Sequence, residues 1–290
     1  MVLLGGAACG LEPDPLPPPL PPGAPLAYVS QGLGPFDDIY FLSADGKTDS
    51  NMTDHLAFDS WPTWSPDGQS IAFESDRGDG NTVGVYRITL GVAGSVLLSA
   101  DSAYQTGQPA WSPVGTRIAF VSNRDGDGLD IYVMDPNGAN VTRLTSDAAN
   151  SSQPAWAPNG SLIAFASDRS GNAEVWVMDS VGANATNLSN NSAQDLGPSF
   201  SPNGQKIAFM SDRDTPGFAI WVMNANGSSP VRVGPGDPPC ELPQWTPDGQ
   251  RIAFDCDGDI FVVNADGTNL QRITRTGNSR RSEIMPRWQP

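Results

Sequence analysis

The side chains that could do chemistry are few, and most of them recur along the chain. His55 is the single histidine, which excludes a multi-histidine metal site. No Gly-x-Ser-x-Gly nucleophile motif is present. An Asp–Arg pair recurs as Asp76-Arg77, Asp168-Arg169 and Asp212-Arg213. The pair could bind an anion or a carboxylate. Alternatively, the Asp caps a turn and the Arg pairs with a neighbouring repeat. Its repetition favours the structural alternative, because a catalytic pair is needed only once.

Two Asp-rich loops have residue types that bind calcium, the one cofactor that the sequence suggests. Residues 123–130 place Asp125, Asp127 and Asp130 around glycines, and residues 255–259 have a similar pattern. Calcium needs about six to eight oxygen ligands, and neither loop completes the EF-hand pattern. An ordinary Asp-rich turn is therefore the alternative at both places.

Six copies of one pattern position these residues. The fullest copies read Pro-x-Trp-Ser-Pro-Asp-Gly, x-Ile-Ala-Phe, Ser-Asp-Arg and Ile-Tyr-Val-Met-Asp, in that order. Their first prolines lie 43 to 47 residues apart, at Pro62, Pro109, Pro154, Pro198, Pro243 and Pro286. Short β-branched and aromatic runs between Gly, Pro, Asn and Asp indicate strands and turns, and this period is typical of propeller blades.

The pattern predicts an all-β, six-bladed propeller with four-stranded antiparallel blades, whose strands we call a to d from the centre outward. The first copy lacks strand a, and the last residues form a strand a with nothing after it. We therefore expect the C-terminal strand to complete the N-terminal blade and close the ring, which leaves no open edge. The propeller should span residues 26–290, with blades at about 26–53 plus 284–290, 59–99, 108–146, 153–189, 197–233 and 242–274.

The repeats resemble the TolB-like six-bladed propellers, cousins of the WD-repeat propellers. Trp64-Ser-Pro-Asp-Gly68, Ile71-Ala-Phe73 and Ser75-Asp-Arg77 match the family pattern as they stand, and the resemblance covers residues 26–290. It implies the fold strongly and the function weakly, since one propeller fold serves envelope proteins, peptidase accessory domains and sugar lyases. TolB itself carries an α/β domain before its propeller, and residues 1–25 are too few for one. We therefore do not expect the full role of TolB.

A net charge of −16 excludes nucleic acid as a partner, because its phosphates would be repelled.

The N-terminal residues indicate the compartment. Within residues 1–25, Ala7-Ala8-Cys9 fits a lipoprotein cleavage site, and a Pro-rich spacer follows at residues 16–22. The sequence predicts an extracytoplasmic protein, in the periplasm or at the cell surface, whose contact with membrane is a lipid on Cys9. The alternative is a leader with an incidental cysteine.

Turn geometry predicts a disulfide between Cys240 and Cys256. A three-residue hairpin at Pro247-Asp248-Gly249 would pair Thr246 with Gln250, and the same register would place Cys240 opposite Cys256. Directly opposed antiparallel residues lie within the Cα separation that a disulfide tolerates. The pair would also fit an oxidising compartment.

The aromatic residues outside the repeat columns predict where a protein partner binds. Most of them fall in the b–c and d–a connections, which open on one face of a propeller, and interfaces are enriched in aromatic residues. The predicted partner-binding residues are Phe36, His55, Phe58, Trp61, Tyr104, Phe218, Arg280 and Arg281. We expect a non-catalytic interaction module of a bacterial envelope. The alternatives are a propeller-type polysaccharide lyase or hydrolase, and a structural subunit of an extracellular assembly.

Overall fold

The computed structural model describes residues 25–30, 36–44, 48–78, 82–99, 105–126, 128–274 and 283–290. Their secondary structure consists of short antiparallel strands in six four-stranded sheets, which confirms the six-bladed propeller. The blades, from inner to outer strand, are β24 (Glu283–Trp288), β1 (Leu26–Ser30), β2 (Asp38–Leu42), β3 (Asp49–Asn51); β4 (Asp59–Trp64), β5 (Ser70–Ser75), β6 (Gly84–Thr89), β7 (Ser95–Ser99); β8 (Thr106–Trp111), β9 (Ile118–Ser122), β10 (Asp130–Met134), β11 (Thr142–Arg143); β12 (Ser151–Trp156), β13 (Leu162–Ser167), β14 (Glu174–Asp179), β15 (Thr186–Asn187); β16 (Asp195–Phe200), β17 (Lys206–Ser211), β18 (Ala219–Asn224), β19 (Val231–Arg232); and β20 (Cys240–Trp245), β21 (Arg251–Cys256), β22 (Asp259–Asn264), β23 (Gln271–Arg272).

The chain ends meet in blade 1, as the repeats predicted. β24 pairs with β1, with Leu26 opposite Trp288. The amide of Gln289 donates to the carbonyl of Pro25 at 2.9 Å, and its side-chain Nε2 donates to the carbonyl of Gly68 in blade 2 at 2.8 Å. The C-terminal strand is therefore tied to two blades and completes the ring.

Aromatic and branched side chains fill the space between blades. The phenyl rings of strand b are fully buried in five blades, at Phe73, Phe120, Phe165, Phe209 and Phe254. Clusters span blade boundaries, so that Ala72 and Val85 of one blade pack with Ile118 and Phe120 of the next. Each buried ring of this size contributes about 1.5–3 kcal/mol of hydrophobic stabilisation.

Four arginines hold strands a and b together at one end of their blades. We call Arg77, Arg124, Arg169 and Arg213 the arginine clamps. Each guanidinium lies 4.7–5.4 Å from the ring centroids of a strand-b phenylalanine and a strand-c aromatic residue. Each Nε also donates to the serine hydroxyl that ends strand b. Three of the clamps also form an ion pair: Arg77 with Asp59 at 2.6 Å, Arg213 with Asp195 at 2.8 Å, and Arg169 with Asp147 at 3.1 Å.

The clamps confirm the structural interpretation of the Asp–Arg pair, with one correction. The partners of Arg77 and Arg213 belong to strand a of the same blade, whereas we expected a neighbouring blade. Asp147, the partner of Arg169, lies in the segment that leads from blade 3 to blade 4. The Asp of the motif caps the segment that enters strand a. Asp76, for example, accepts from the amide of Phe58 at 2.9 Å.

Every strand a has a bulge at the residue before its proline. These six residues have positive φ angles of 49–60°: Trp61, Gln108, Gln153, Gly197, Leu242 and Met285. The register against strand b shifts by one residue there, for example between Glu241 and Gln244 in blade 6. A bulge turns a side chain away from the pleat, and five of these six residues, Trp61, Gln108, Gln153, Gly197 and Leu242, line the central channel.

The disulfide is present between Cys240 and Cys256, whose Cα atoms are 4.3 Å apart. The hairpin register behind the prediction was wrong by one residue, because Thr246 pairs with Arg251 and Trp245 with Ile252. The bulge at Leu242 restores the expected register, so Cys240 does lie opposite Cys256. The bond occupies the positions that Ser151 and Ser167 hold beside a clamp in blade 4.

Candidate partner-binding face and central channel

The two faces of the propeller differ in their connections. The a–b and c–d connections are tight turns such as Ser65–Gly68, where Gly68 has a φ of 66° and donates to the carbonyl of Ser65 at 2.8 Å. The opposite face carries the longer b–c and d–a segments, and we call it the loop-rich face. Long loops on a rigid scaffold are where binding residues concentrate, so this face is the candidate site.

Two aromatic rings meet on the loop-rich face where blade 1 adjoins blade 2, and an exposed leucine lies close to them in sequence. The rings of Phe36 and Phe58 contact edge to face, with centroids 5.2 Å apart. Phe58 is 47% exposed, and Leu56, two residues earlier, is 82% exposed. We call Phe36, Leu56 and Phe58 the apolar patch. Sequence analysis missed Leu56, because a single leucine in a loop gives no periodic signal.

A polar network fixes the loop that presents the patch. The carboxylate of Asp38 accepts from the hydroxyl of Thr53 at 3.1 Å and from the amide of His55 at 3.3 Å. The side-chain oxygen of Asn51 accepts from the amides of Thr53 and Asp54. The imidazole of His55 is exposed beside the patch. Because these bonds fix the loop backbone, the side chains of Leu56 and Phe58 are exposed to solvent on an ordered loop.

The other predicted partner-binding residues are placed differently. Trp61 is a bulge residue and lines the channel. Phe218 is half-buried and packs on the core cluster between blades 5 and 6, so it is not an open anchor. Tyr104, Arg280 and Arg281 lie outside the described residues, as does the proposed lipid site at Cys9.

The central channel holds a cavity of about 180 Å³ lined by strand a of every blade. Two glutamine bulge residues link neighbouring blades across its wall. The side-chain oxygen of Gln108 accepts from the amide of Gln153 at 2.8 Å, and that of Gln153 accepts from the amide of Gly197 at 2.8 Å. Blade-to-blade hydrogen bonds of this kind fix the width of the channel.

Two half-buried carboxyl groups also link neighbouring blades, each by accepting a hydrogen bond from the amide of a bulge residue. Glu74 of strand b accepts from the amide of Gln108 at 2.9 Å, and Asp255 accepts from the amide of Met285. Burial raises the pKa of Glu74, and burial together with the neighbouring Glu241 raises the pKa of Asp255 to about 7. Both residues interrupt an otherwise apolar strand b, a signal that sequence analysis missed.

The predicted calcium loop already has a cationic partner. Arg143 lies 3.3 Å from Asp125 and at hydrogen-bonding distance, 2.5 Å, from Asp130, which also accepts from the hydroxyl of Thr145 at 2.7 Å. Asp127 lies outside the described residues. In the part of the chain that is described, no three acidic, histidine or cysteine side chains come together as a metal site. Because Arg143 offsets both carboxylates, calcium would gain little there.

The described residues contain no helix that is long and apolar enough to cross a membrane.

Residues 92–228 match the family described as TolB beta propeller domain, and residues 218–289 match the dipeptidyl peptidase IV (DPP IV) N-terminal region. TolB from Acinetobacter baumannii has a similar structure, with a TM-score of 0.77 and 20% identity over 92% of this chain and 67% of that one. With the repeats and the ring closure, these matches define the class of fold: the chain is a six-bladed β-propeller that resembles the TolB propellers.

Two further likenesses concern proteins named for enzymatic activity. Oligogalacturonate lyase from Vibrio parahaemolyticus gives a TM-score of 0.63 at 14% identity, over 87% of this chain and 75% of that one. The uncharacterized peptidase YuxL of Bacillus subtilis (strain 168) is 35% identical over 63 residues, which is 22% of this chain and 10% of that protein. The chain thus spans about a tenth of the curated relative that it matches.

Proposed function

We propose that this propeller is an exported, non-catalytic interaction module that binds a protein partner through its loop-rich face. The observation that carries the proposal is the apolar patch, where exposed Leu56 and Phe58 are held on a hydrogen-bonded loop of the loop-rich face. Aromatic and large apolar side chains of this kind are the usual anchors of protein interfaces. The TolB-like fold supports an interaction module, and the buried disulfide supports an oxidising compartment outside the cytoplasm. Lipidation of Cys9 would hold the module at a membrane.

The experiment is quantitative capture from a bacterial envelope extract with three baits: the wild-type chain, Leu56→Ser/Phe58→Ser, and Val181→Ser. Val181 is 67% exposed on the opposite face, so it is a matched control for loss of apolar surface. An anchor residue typically contributes about 2 kcal/mol or more, which is on the order of 30-fold in affinity. A protein retained by wild type and by Val181→Ser, but lost with the double variant, supports the proposal. Equal retention by all three baits would place binding elsewhere.

A propeller-type polysaccharide lyase or hydrolase is the second candidate, and the likeness to oligogalacturonate lyase favours it. We would place an acid–base function at the half-buried carboxyl pair of Glu241 and Asp255, which are directly opposed across strands a and b of blade 6. The test is formation of unsaturated product from oligogalacturonate, with Asp255→Asn as the control. Turnover that Asp255→Asn abolishes would replace the interaction module as the proposed function.

A further inference from the structure

The outer strand of blade 2 differs from the outer strands of the other five blades. Ring closure covers the inner strands, but among the described strands each strand d keeps one edge without a neighbour in its sheet. In blade 2 this strand is β7, which has five residues, whereas strand d has three residues in blade 1 and two in each of blades 3 to 6. Very short edge strands are one way in which proteins prevent pairing with other chains, and blade 2 lacks this protection.

The side chains of β7 also lack a second usual protection, a polar or charged residue on the edge. The register identifies the same position in every blade, because it is the residue opposite the aromatic side chain of strand c. Blade 2 has Leu97 there, opposite Tyr86, and Leu97 is 50% exposed. The residues at this position in the other blades are Asn51, Arg143, Asn187, Arg232 and Arg272. The preceding residue, Val96, is 52% exposed, so β7 has an apolar edge where the other repeats have a polar one.

The outer hairpin of blade 2, residues 82–99, has no negative charge of its own. It includes no Asp or Glu, although the chain has 32 acidic residues and a net charge of −16. Its one charged side chain, Arg87, donates to the carbonyl of Pro136 in blade 3 at 2.9 Å. A different protein that recognised this acidic chain would gain from carboxylates at the contact, and this hairpin offers none. A second copy gains from their absence, because like charges from the two hairpins then do not oppose each other.

We propose that β7 pairs with β7 of a second copy, antiparallel about a two-fold axis, and so joins the four-stranded sheets of two blades. An identical edge supplies the matching backbone donors and acceptors, because an antiparallel pair of the same strand is symmetric. Near the axis, Val96 and Leu97 pack on the same residues of the second copy, and cross-strand apolar pairs of this kind stabilise a sheet. The contact is separate from the loop-rich face, so the dimer goes beyond the proposed function.

The first test is sedimentation velocity of the full chain over a range of concentrations, in which wild type should form a reversible dimer. Leu97→Arg introduces the residue that blades 3, 5 and 6 have at this position. This variant and Val96→Arg should weaken dimerisation on the order of tenfold or more, because like charges from both copies meet near the axis. Val231→Arg is the matched control and should dimerise as wild type does, since Val231 is exposed on β19 at the position equivalent to Val96. A wild type that stays monomeric into the high micromolar range, or a dimer that survives both β7 substitutions, overturns the proposal.

The second test is hydrogen–deuterium exchange, which distinguishes β7 pairing from another interface. The amides of β7 should exchange more slowly in the dimer than in the diluted monomer, whereas those of β19 should exchange equally in both. A dimer without added protection of β7 would refute the pairing. Leu56→Ser/Phe58→Ser leaves β7 intact and should dimerise as wild type does, and a monomeric double variant would place the contact on the apolar patch instead of β7. Because partner capture and dimerisation are lost in different variants, the two proposals can fail separately.

Discussion

Replacing both cysteines of blade 6 by serine tests how the ends of strands a and b are held. In blade 4 the two equivalent positions are Ser151 and Ser167, whose hydroxyls lie 3.2 Å apart and share the clamp Arg169. Blade 6 has the disulfide instead, and Gly258 stands where the clamp would be. Cys240→Ser/Cys256→Ser therefore recreates the serine pair without its arginine.

The expected loss follows from the length of the closed loop. The two cysteines are 16 residues apart, and in the chain-entropy model a loop of this size stabilises by about 3 kcal/mol. An unfolding entropy of about 2.1 cal/mol/K per residue gives roughly 0.6 kcal/mol/K for this chain, so Tm should fall by about 5 °C. The position is buried, so the serine hydroxyls must also find hydrogen-bond partners, and 5 °C is the lower bound.

Differential scanning calorimetry of the wild type, oxidised and reduced, and of the double serine variant measures this loss. Reduced wild type and the variant should both melt below the oxidised protein. Ser167→Ala in blade 4 is a control, because it alters the equivalent position without changing loop closure. Identical melting of oxidised wild type and the variant would refute the reasoning, since the ring of blades would then hold blade 6 without a covalent bond.

Three further changes probe the closure, the channel wall and a buried carboxyl group. Deleting residues 284–290 removes the inner strand of blade 1, and calorimetry should show the whole domain destabilised, whereas unchanged melting would contradict the closure. Gly107→Ala would place a Cβ 1.9 Å from Oε2 of Glu74 and should cost about 1–3 kcal/mol in urea unfolding, most of it recovered in Gly107→Ala/Glu74→Ala. Burial raises the pKa of Asp255 from 3.8 to about 7, so its ionisation destabilises the fold as pH rises through that window. Asp255→Asn should then gain about 1 kcal/mol or more over wild type near pH 8 and nothing near pH 4, and an equal gain at both pH values would contradict the assignment.

The repeats predicted the architecture because each blade repeats the same turn chemistry and the same buried rings. The bulge at Leu242 could not be predicted, since a residue before proline is expected to be extended and its left-handed conformation is set by the packing of strand a. The disulfide prediction succeeded because this bulge offset the register error in the turn.

The site was less predictable than the fold. Aromatic residues in loops pointed to the face that carries the apolar patch, yet Phe218, chosen by the same criterion, packs against the core. Composition and position do not tell whether a loop side chain turns inward. The channel lining gave no signal either, because its residues come from strand a of all six blades, which are distant in the sequence.

The pairing of β24 with β1 sets an order of events for the cell. Leu26 and Trp288 are partners although 262 positions separate them (288 − 26), so blade 1 needs a strand that is synthesised after all the other blades. Contacts this distant in sequence form slowly, because a long loop must close before they stabilise anything. If the chain crosses a membrane unfolded, blade 1 therefore lacks its inner strand at first. The ring closes only when β24 has crossed and paired with β1. During that interval the exposed edge of β1 is open to pairing with another chain, and a chaperone on the far side of the membrane would have its greatest effect then.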